Sequence, residues 1–328
     1  MLQFILRRVV YTIPTLIMIS IVSFVLIQLP PGDFLESYAA TLSAQGEGIN
    51  SDQLIALKAA YGLDEPIYVQ YWKWISGILT RGDFGQSFEW RQPVSALLGE
   101  RMWATLAITV STLLFTWLLA IPIGVFSATN KYSKLDYLFT GISFIGLGIP
   151  GFMIALVLLW VTFNYFGVNL GGLFSPEYVN APWSVSRFLD LLSHFWIPLV
   201  IVGIEGTAAL IRTMRANLLD ELSRPYVTAG RARGLDERTL IWEYPVRVAL
   251  NPFVSTLGYA LPGLISGATV ISVVLNLPTH GPLLLRALQS QDMYLAGAFI
   301  LLLGTLTIIG TLLSDIALAW IDPRIRFS

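Results

Sequence analysis

The sequence predicts an all-α membrane protein with six transmembrane helices. Hydrophobic residues make up 55% of the 328-residue chain and charged residues only 12%, a composition typical of proteins that cross a membrane several times. Six charge-poor runs are predicted as spans, and five of them are long enough, at about 1.5 Å per residue, to cross a hydrocarbon core of about 30 Å. One charge-dense segment, residues 212–247, separates the fourth run from the fifth.

The first run, Val9 to Leu29, follows the basic pair Arg7 and Arg8 and contains no charged residue. It exceeds the roughly 7 to 15 apolar residues of a cleaved signal peptide, and no small-residue cleavage site closes it directly. We therefore expect residues 1–29 to form an N-terminal segment and a retained first span.

Residues 30–101 are more polar and are expected to lie outside the membrane. They carry an aromatic cluster, Tyr68, Tyr71, Trp72 and Trp74. Two interpretations stay open. Tyr and Trp prefer the headgroup level, which predicts an amphipathic cap at the membrane interface. The same surface is also suited to receive an external partner protein.

The remaining residues, 102–328, are expected to form the core domain. Its first two spans are Met102 to Asn130 and Leu138 to Phe166, neither of which contains a charged residue. Gly146, Gly148, Pro150 and Gly151 leave little side-chain bulk on the surface of the second of these spans. Such small residues favour close approach of a neighbouring helix, and we expect this in preference to a bend.

The fourth span, Phe195 to Leu210, contains Glu205. An ionisable side chain at membrane depth costs at least about 2.5 kcal/mol, so it usually faces a protein interior or a wet cavity. One hypothesis is that Glu205 borders a translocation path. The alternative is a neutral, hydrogen-bonded carboxyl group, or one close enough to the headgroups to be hydrated.

The last two spans are predicted at about Pro252 to Leu275 and at Met293 to Ile321. Gly263 and Gly267 have the spacing that lets two helices pack backbone to backbone. Asp315 lies near the end of the sixth span, where we expect a hydrated or capped carboxylate and not a proton relay.

The segment 212–247 contains a sequence typical of a short helix. Pro225 suits its first position and Gly234 suits its end. A short helix between two spanning helices has little packing of its own, so we expect it to dock another protein.

The distribution of basic residues predicts the orientation. Most of the 20 Lys and Arg residues fall on the side that carries Arg7, Lys131, Lys134 and the segment 212–247. Five of the remaining ones lie in the long segment 30–101 or at its end, and long segments count less toward orientation. Both termini and the segment 212–247 are therefore expected in the cytosol.

The composition also argues against several functional classes. The chain has no Cys and only two His, which leaves little for thiol, metal or histidine chemistry. A net charge of -1 gives no overall attraction to nucleic acid. No Gly-x-x-x-x-Gly-Lys-[Ser/Thr] phosphate loop occurs, so this chain is not expected to hydrolyse ATP. A secondary transporter or channel, which would place several charges within its helices, stays a distant alternative.

Several motifs resemble the permease subunits of ATP-binding cassette (ABC) importers, in particular the dipeptide, oligopeptide and nickel branch. The resemblance rests mainly on the run Tyr226 to Leu235, where Thr228 replaces the Glu of the general family motif and Gly230 replaces an Ala. Further short segments along the chain also resemble this family: Ile13-Pro14-Thr15, Pro31-Gly32-Asp33, Tyr61-Gly62-Leu63-Asp64-Glu65-Pro66, Arg81-Gly82-Asp83-Phe84-Gly85-Gln86-Ser87 and Asp322-Pro323-Arg324-Ile325-Arg326.

This resemblance implies the type I importer arrangement in a bacterial or archaeal cytoplasmic membrane. It implies a second homologous permease subunit, two ATPase subunits that bind ATP and Mg, and an external substrate-binding protein. This chain itself is expected to hold no cofactor. Members of the family carry peptides, while relatives carry short oligosaccharides, opines or nickel chelates. The residues expected to couple to the ATPases are Pro225, Tyr226, Ala229, Gly230, Arg231, Ala232, Arg233, Gly234 and Leu235, and those expected along the path are Glu205, Gly263 and Gly267.

Overall fold

The computed structural model describes residues 2–28, 65–87, 89–290 and 292–321. Within these ranges the regular secondary structure is helical, apart from an isolated antiparallel bridge between Gln86 and Pro93. The predicted motifs at 31–33, 61–64 and 322–326 lie outside the described residues.

The described helices are numbered in chain order, and their bounds follow. They are α1 (Leu2–Gln28), α2 (Ile67–Arg81), α3 (Val94–Thr129), α4 (Lys134–Gly148), α5 (Gly151–Phe166), α6 (Val185–Leu222), α7 (Pro225–Ala232), α8 (Glu237–Glu243), α9 (Pro245–Ala249), α10 (Asn251–Val274), α11 (His280–Gln289) and α12 (Met293–Ile321).

Among the described residues, the helices long and apolar enough to cross a membrane number four, or five if α4 and α5 count as one bent span. The four are α1, α3, α6 and α12. The helix α10 coincides with the predicted fifth run, and α12 has the bounds predicted for the sixth. The all-helical membrane class is therefore confirmed.

The third predicted span is not one straight helix. The helices α4 and α5 meet at an angle of 94°. We expected close packing in preference to a bend, and the preference against a bend was wrong. Pro150 has no N–H to continue α4, and it favours an extended backbone at the residue before it. Ile149 has this backbone, with φ -107° and ψ 119°. Close packing occurs as well, since a Cβ atom at Gly146 would lie 3.4 Å from the Cβ of Ala208.

Two helices also extend beyond the predicted spans. The helix α3 begins at Val94, well before Met102, and α6 continues to Leu222 through the start of the predicted cytosolic loop. Charged side chains mark where a segment leaves the apolar core, but they do not interrupt backbone hydrogen bonds. Helices of this kind therefore continue past the membrane boundary that the sequence predicts.

The chain forms two compact units. One comprises Met1–Arg8, Ala104–Pro282 and Thr307–Ser328, and the other comprises Val9–Trp103 and Leu283–Leu306. In the first unit, one core cluster includes Met214, Leu218 and Phe253.

The second unit divides the predicted aromatic cluster between two faces of α2. Tyr71 and Trp74 pack against Phe24 of α1, with ring centroids 5.5 Å and 5.7 Å away. Tyr68 and Trp72 are exposed. The helix α2 is thus anchored by one aromatic face and leaves the other free for lipid headgroups or for a partner.

Candidate coupling site and transport path

The segment after α6 contains the predicted short helix. The residue before it, Arg224, has extended backbone, and Pro225 occupies the first helical position of α7. Beyond the helix end, Gly234 has a φ of +77°, a conformation that glycine adopts without steric cost. The predicted proline start and glycine stop are confirmed.

One face of α7 packs against its own loop. Val227 is fully buried, and Gly230 is buried beside it. A Cβ atom at Gly230 would lie 2.5 Å from Cδ1 of Leu240 in α8. Glycine at this position therefore allows α7 and α8 to pack closely. Gly230, one of the residues predicted to dock a partner, serves the internal packing of the loop.

The opposite face of α7 is exposed and made of small residues. Pro225, Thr228, Ala229 and Ala232 lie on it. Small side chains let a partner approach the helix backbone closely. The other predicted coupling residues, which flank this face, are also exposed: Tyr226, Arg231, Arg233, Gly234 and Leu235.

Arg231 has a partner within the same loop. Its Nε donates to Oε2 of Glu237 at 3.0 Å and its Nη2 to Oε1 at 2.5 Å. These hydrogen bonds lower the pKa of Glu237 below its usual value and raise the pKa of Arg231. Both side chains are about half exposed. Both oxygens of Glu237 thus accept hydrogen bonds from the Arg231 guanidinium within the loop.

Tyr226 connects α7 to the end of α6. Its hydroxyl donates to Oε2 of Glu221 at 2.6 Å. Partial burial and this hydrogen bond raise the pKa of the Tyr226 hydroxyl, so it stays a neutral donor. Only two residues separate the two helices, and the contact adds a side-chain link to this short connection.

A buried ion pair joins α4 to α6. Arg215 donates from Nε and Nη2 to the two oxygens of Asp136, both at 2.8 Å. The backbone N–H of Tyr132 donates to Asp136 Oδ2 at 2.9 Å, and Asp136 is 2% exposed. The pair was not predicted, because the two residues are far apart in sequence and no local pattern relates them.

This pair is a reference point for the position of Glu205 along α6. Lys131 and Lys134 lie beside Asp136 in the chain, so the pair lies at the boundary that the positive-inside rule predicts to be cytosolic. Glu205 precedes Arg215 by ten residues of one helix, or about 15 Å. That is about half of a 30 Å hydrocarbon core.

The carboxylate of Glu205 lies on an exposed position of α6. Among the residues that the structure describes, none forms an ion pair with it. A charge at this depth is not stable against lipid tails. Gly263 and Gly267 lie in α10, and the surroundings of residues 256–267 are outside the part of the chain that the structure describes.

Asp315, the other acid within a predicted span, pairs with Arg8 at 3.2 Å. The expectation of a hydrated or capped carboxylate did not include this ion pair. Elsewhere in the described ranges, no group of three or more His, Asp or Glu side chains is arranged to hold a metal ion.

Comparisons with known proteins identify the family. Residues 120–327 match the family described as the binding-protein-dependent transport system inner membrane component, and residues 1–109 match the N-terminal family of the same membrane components. The chain belongs to this family of permeases. The resemblance inferred from the loop is confirmed, and this permease is a multi-pass inner membrane protein.

Full-length relatives carry related names. The chain is 34% identical to the oligopeptide transport system permease protein AppB of Bacillus subtilis over 100% of both chains. It is 30% identical to the dipeptide transport system permease protein DppB of Escherichia coli over 99% of both chains. It is also 30% identical to the glutathione transport system permease protein GsiC of Salmonella typhimurium over 100% of both chains.

Proposed function

We propose that this permease forms half of the translocation path of an ATP-driven, binding-protein-dependent importer of di- or oligopeptides. Its six spans are α1, α3, the bent pair α4 and α5, α6, α10 and α12, with both termini in the cytosol. The family match and the names of the full-length relatives support this proposal. The charge-free sequence of α10 supports counting this helix as the fifth of the six spans.

The proposed complex contains a second homologous permease, two ATPase subunits and an external substrate-binding protein. ATP and Mg bind to the ATPases, since this sequence has no phosphate loop. The residues 30–101 form part of the surface that receives the binding protein. The exposed Tyr68 and Trp72 of α2 are suited to this contact.

The proposed coupling element is α7. The observation that carries this is its orientation: Val227 and Gly230 are buried in the loop, while Ala229 and Ala232 point outward. Because α7 is also connected to α6 through Tyr226, a displacement of α7 by the ATPases is transmitted to a spanning helix. Differential contacts of this kind in two states are what coupling requires.

The path itself is proposed to include Glu205, Gly263 and Gly267. The exposure of Glu205 and its distance of about 15 Å along α6 from Arg215 support a position on a wet or protein-covered surface within the membrane. The two glycines have the spacing for close helix contact, which suits the junction of two permease subunits.

The same machinery could carry short oligosaccharides, opines or nickel chelates. The relatives with peptide names favour peptides. A stand-alone secondary transporter or channel is disfavoured, because charged residues within the spans are few and Asp315 is paired with Arg8.

The coupling proposal is tested with Ala229→Glu in the complete importer reconstituted in proteoliposomes. Because position 229 is exposed, the variant should fold normally. The glutamate adds bulk and charge where the ATPase is proposed to approach. We expect peptide uptake to fall at least about tenfold, as for the loss of about 1.4 kcal/mol of coupling. The ATPase activity should become independent of the loaded binding protein.

The matched control is Ala229→Ser, which adds a small polar group and should retain coupled uptake.

A second variant, Gly234→Pro, changes the backbone. The fixed φ of proline, about -65°, is incompatible with the observed +77°, so the loop should distort and uptake should be uncoupled from ATP hydrolysis. Normal coupled uptake by Ala229→Glu would contradict the docking role of α7.

A further inference from the structure

The exposed side of α6 carries an acid and a base on one stripe. Glu205, Ala209, Arg212 and Ala216 are all exposed and follow each other at three- and four-residue intervals, which places them on the same face of a helix. Glu205 and Arg212 are two turns apart, or about 10.5 Å along the helix axis. The small Ala209 lies between them.

A groove between α4 and α6 accompanies the cytosolic part of this stripe. Its volume is about 620 Å³, and its lining includes Thr140, Phe144, Leu147, Ala209 and Arg212. The guanidinium of Arg212 lies 5.0 Å from the ring centroid of Phe144. This contact holds the side chain against one wall of the groove.

The charges at the two ends of the stripe are uncompensated within the described chain. The neighbouring Arg215 forms an ion pair with Asp136. In the described ranges, no carboxylate pairs with Arg212 and no basic group pairs with Glu205. The stripe therefore presents one acid and one base, two turns apart, each of which can bind a group of opposite charge.

A phospholipid does not fit this arrangement. Its phosphate would suit Arg212, but its acyl chains would then run toward the bilayer centre past Glu205. A carboxylate beside acyl chains is unfavourable. The occupant must instead be polar at both ends, with a cation toward Glu205 and an anion toward Arg212.

We propose that Glu205 and Arg212 form a two-ended subsite for a short zwitterionic peptide in transit. This rests on the proposed function and names the substrate chemistry at that path. The peptide ammonium binds Glu205 and its terminal carboxylate binds Arg212 through charge-assisted hydrogen bonds. An extended chain spans about 3.3 to 3.6 Å per residue, so the axial rise of about 10.5 Å between positions 205 and 212 suits about three residues. Phe144 and Leu147 supply an apolar wall that accepts varied side chains.

The test measures uptake of one tripeptide in four forms, with free termini, N-acetylated, C-amidated or blocked at both ends. The complete importer is reconstituted in proteoliposomes with an unchanged binding protein, so differences between variants arise in the permease. We expect Glu205→Gln to lower uptake of the free tripeptide about tenfold or more, as expected for loss of a charged hydrogen bond. Its uptake of the N-acetylated form should match that of the wild type. Arg212→Gln should show the same pattern with the C-amidated form.

The controls remove charges away from the stripe's membrane part. Asp220→Asn and Lys134→Gln alter exposed groups near the cytosolic ends of α6 and α4 and should leave all four rates unchanged. Glu205→Gln removes a charge from the membrane, so insertion should not suffer. Binding-protein-stimulated ATP hydrolysis, measured in the same vesicles, should persist in both subsite variants.

Equal losses for free and blocked tripeptides would overturn the subsite, as would unchanged uptake of the free form. Cross-linking of a cysteine at position 205 to the partner permease in every state of the cycle would also overturn it, because the acid would then be an interface residue. Failure of the proposed function looks different: wild-type vesicles would take up none of the four forms.

Discussion

At the scale of single residues, two small residues of α7 have different roles, one in packing within the loop and one on the surface proposed to dock a partner. Gly230 belongs to the segment whose exposed surface we propose to bind an ATPase, yet its missing side chain makes room for Leu240. Sequence alone marks both Gly230 and Ala229 as small. The contact with Leu240 shows that the first is a packing residue, while the second remains available to a partner.

The pair of Asp136 and Arg215 determines how firmly α4 is held to α6. Asp136→Asn should destabilise the permease, because it removes the ion-pair partner of Arg215. Removing one partner of a fully buried pair costs about 3–5 kcal/mol, and we expect a smaller loss here because the Arg215 side chain is 27% exposed. The apparent melting temperature in detergent measures this effect. The double variant Asp136→Asn with Arg215→Gln should recover part of the loss, since it leaves no unpaired buried charge. An unchanged melting temperature for Asp136→Asn would show that the pair does not hold the helices.

At the scale of helices, close crossings explain several small residues. The helices α3 and α6 approach so closely that a Cβ atom at Gly124 would lie 2.5 Å from the Cβ of Met214 and 3.2 Å from the carbonyl oxygen of Ile211. Flexible side-chain ends move easily, but Cβ and backbone atoms do not. The crossing therefore depends on glycine at this position.

Gly124→Ala should lower the stability of the permease by about 1–3 kcal/mol, the usual cost of overpacking. Thermal unfolding in detergent is the measurement. The matched control is Gly99→Ala in the same helix, where a Cβ atom meets nothing within 4 Å. There alanine should be neutral or stabilising, since glycine in a helix costs about 1 kcal/mol relative to alanine. Equal behaviour of the two variants would contradict the close crossing.

The bend between α4 and α5 is also decided by local chemistry. Pro150 and its effect on Ile149 are visible in the sequence, but glycines around them are equally typical of close helix packing. The bend and the close packing of α4 occur together here. We predicted only the close packing, because a single sequence does not show which helix surface has a neighbour.

At the scale of the whole molecule, orientation in the membrane is the property that connects all proposed roles. If the segment 212–247 faces the cytosol, α7 can meet the ATPases and the stripe from Glu205 to Arg212 leads toward the cytosolic side. The basic residues of the chain favour this orientation.

Cysteine labelling tests the orientation, and the absence of native cysteines makes single replacements clean. Arg233→Cys and Asn180→Cys both change exposed residues. A membrane-impermeant maleimide should label position 180 in intact cells and position 233 only after permeabilisation. Labelling of position 233 in intact cells would refute the cytosolic loop and, with it, the proposed coupling.

The sequence by itself determined the membrane class, the approximate spans and the proline-to-glycine limits of α7. These properties depend on local composition and backbone chemistry, which act over a few neighbouring residues. Tertiary structure decided the partner of Arg215, the buried position of Gly230, the pairing of Arg231 with Glu237 and the groove between α4 and α6 that Arg212 lines. Such features arise where elements meet, because burial and charge pairing depend on which surfaces the folded chain brings together.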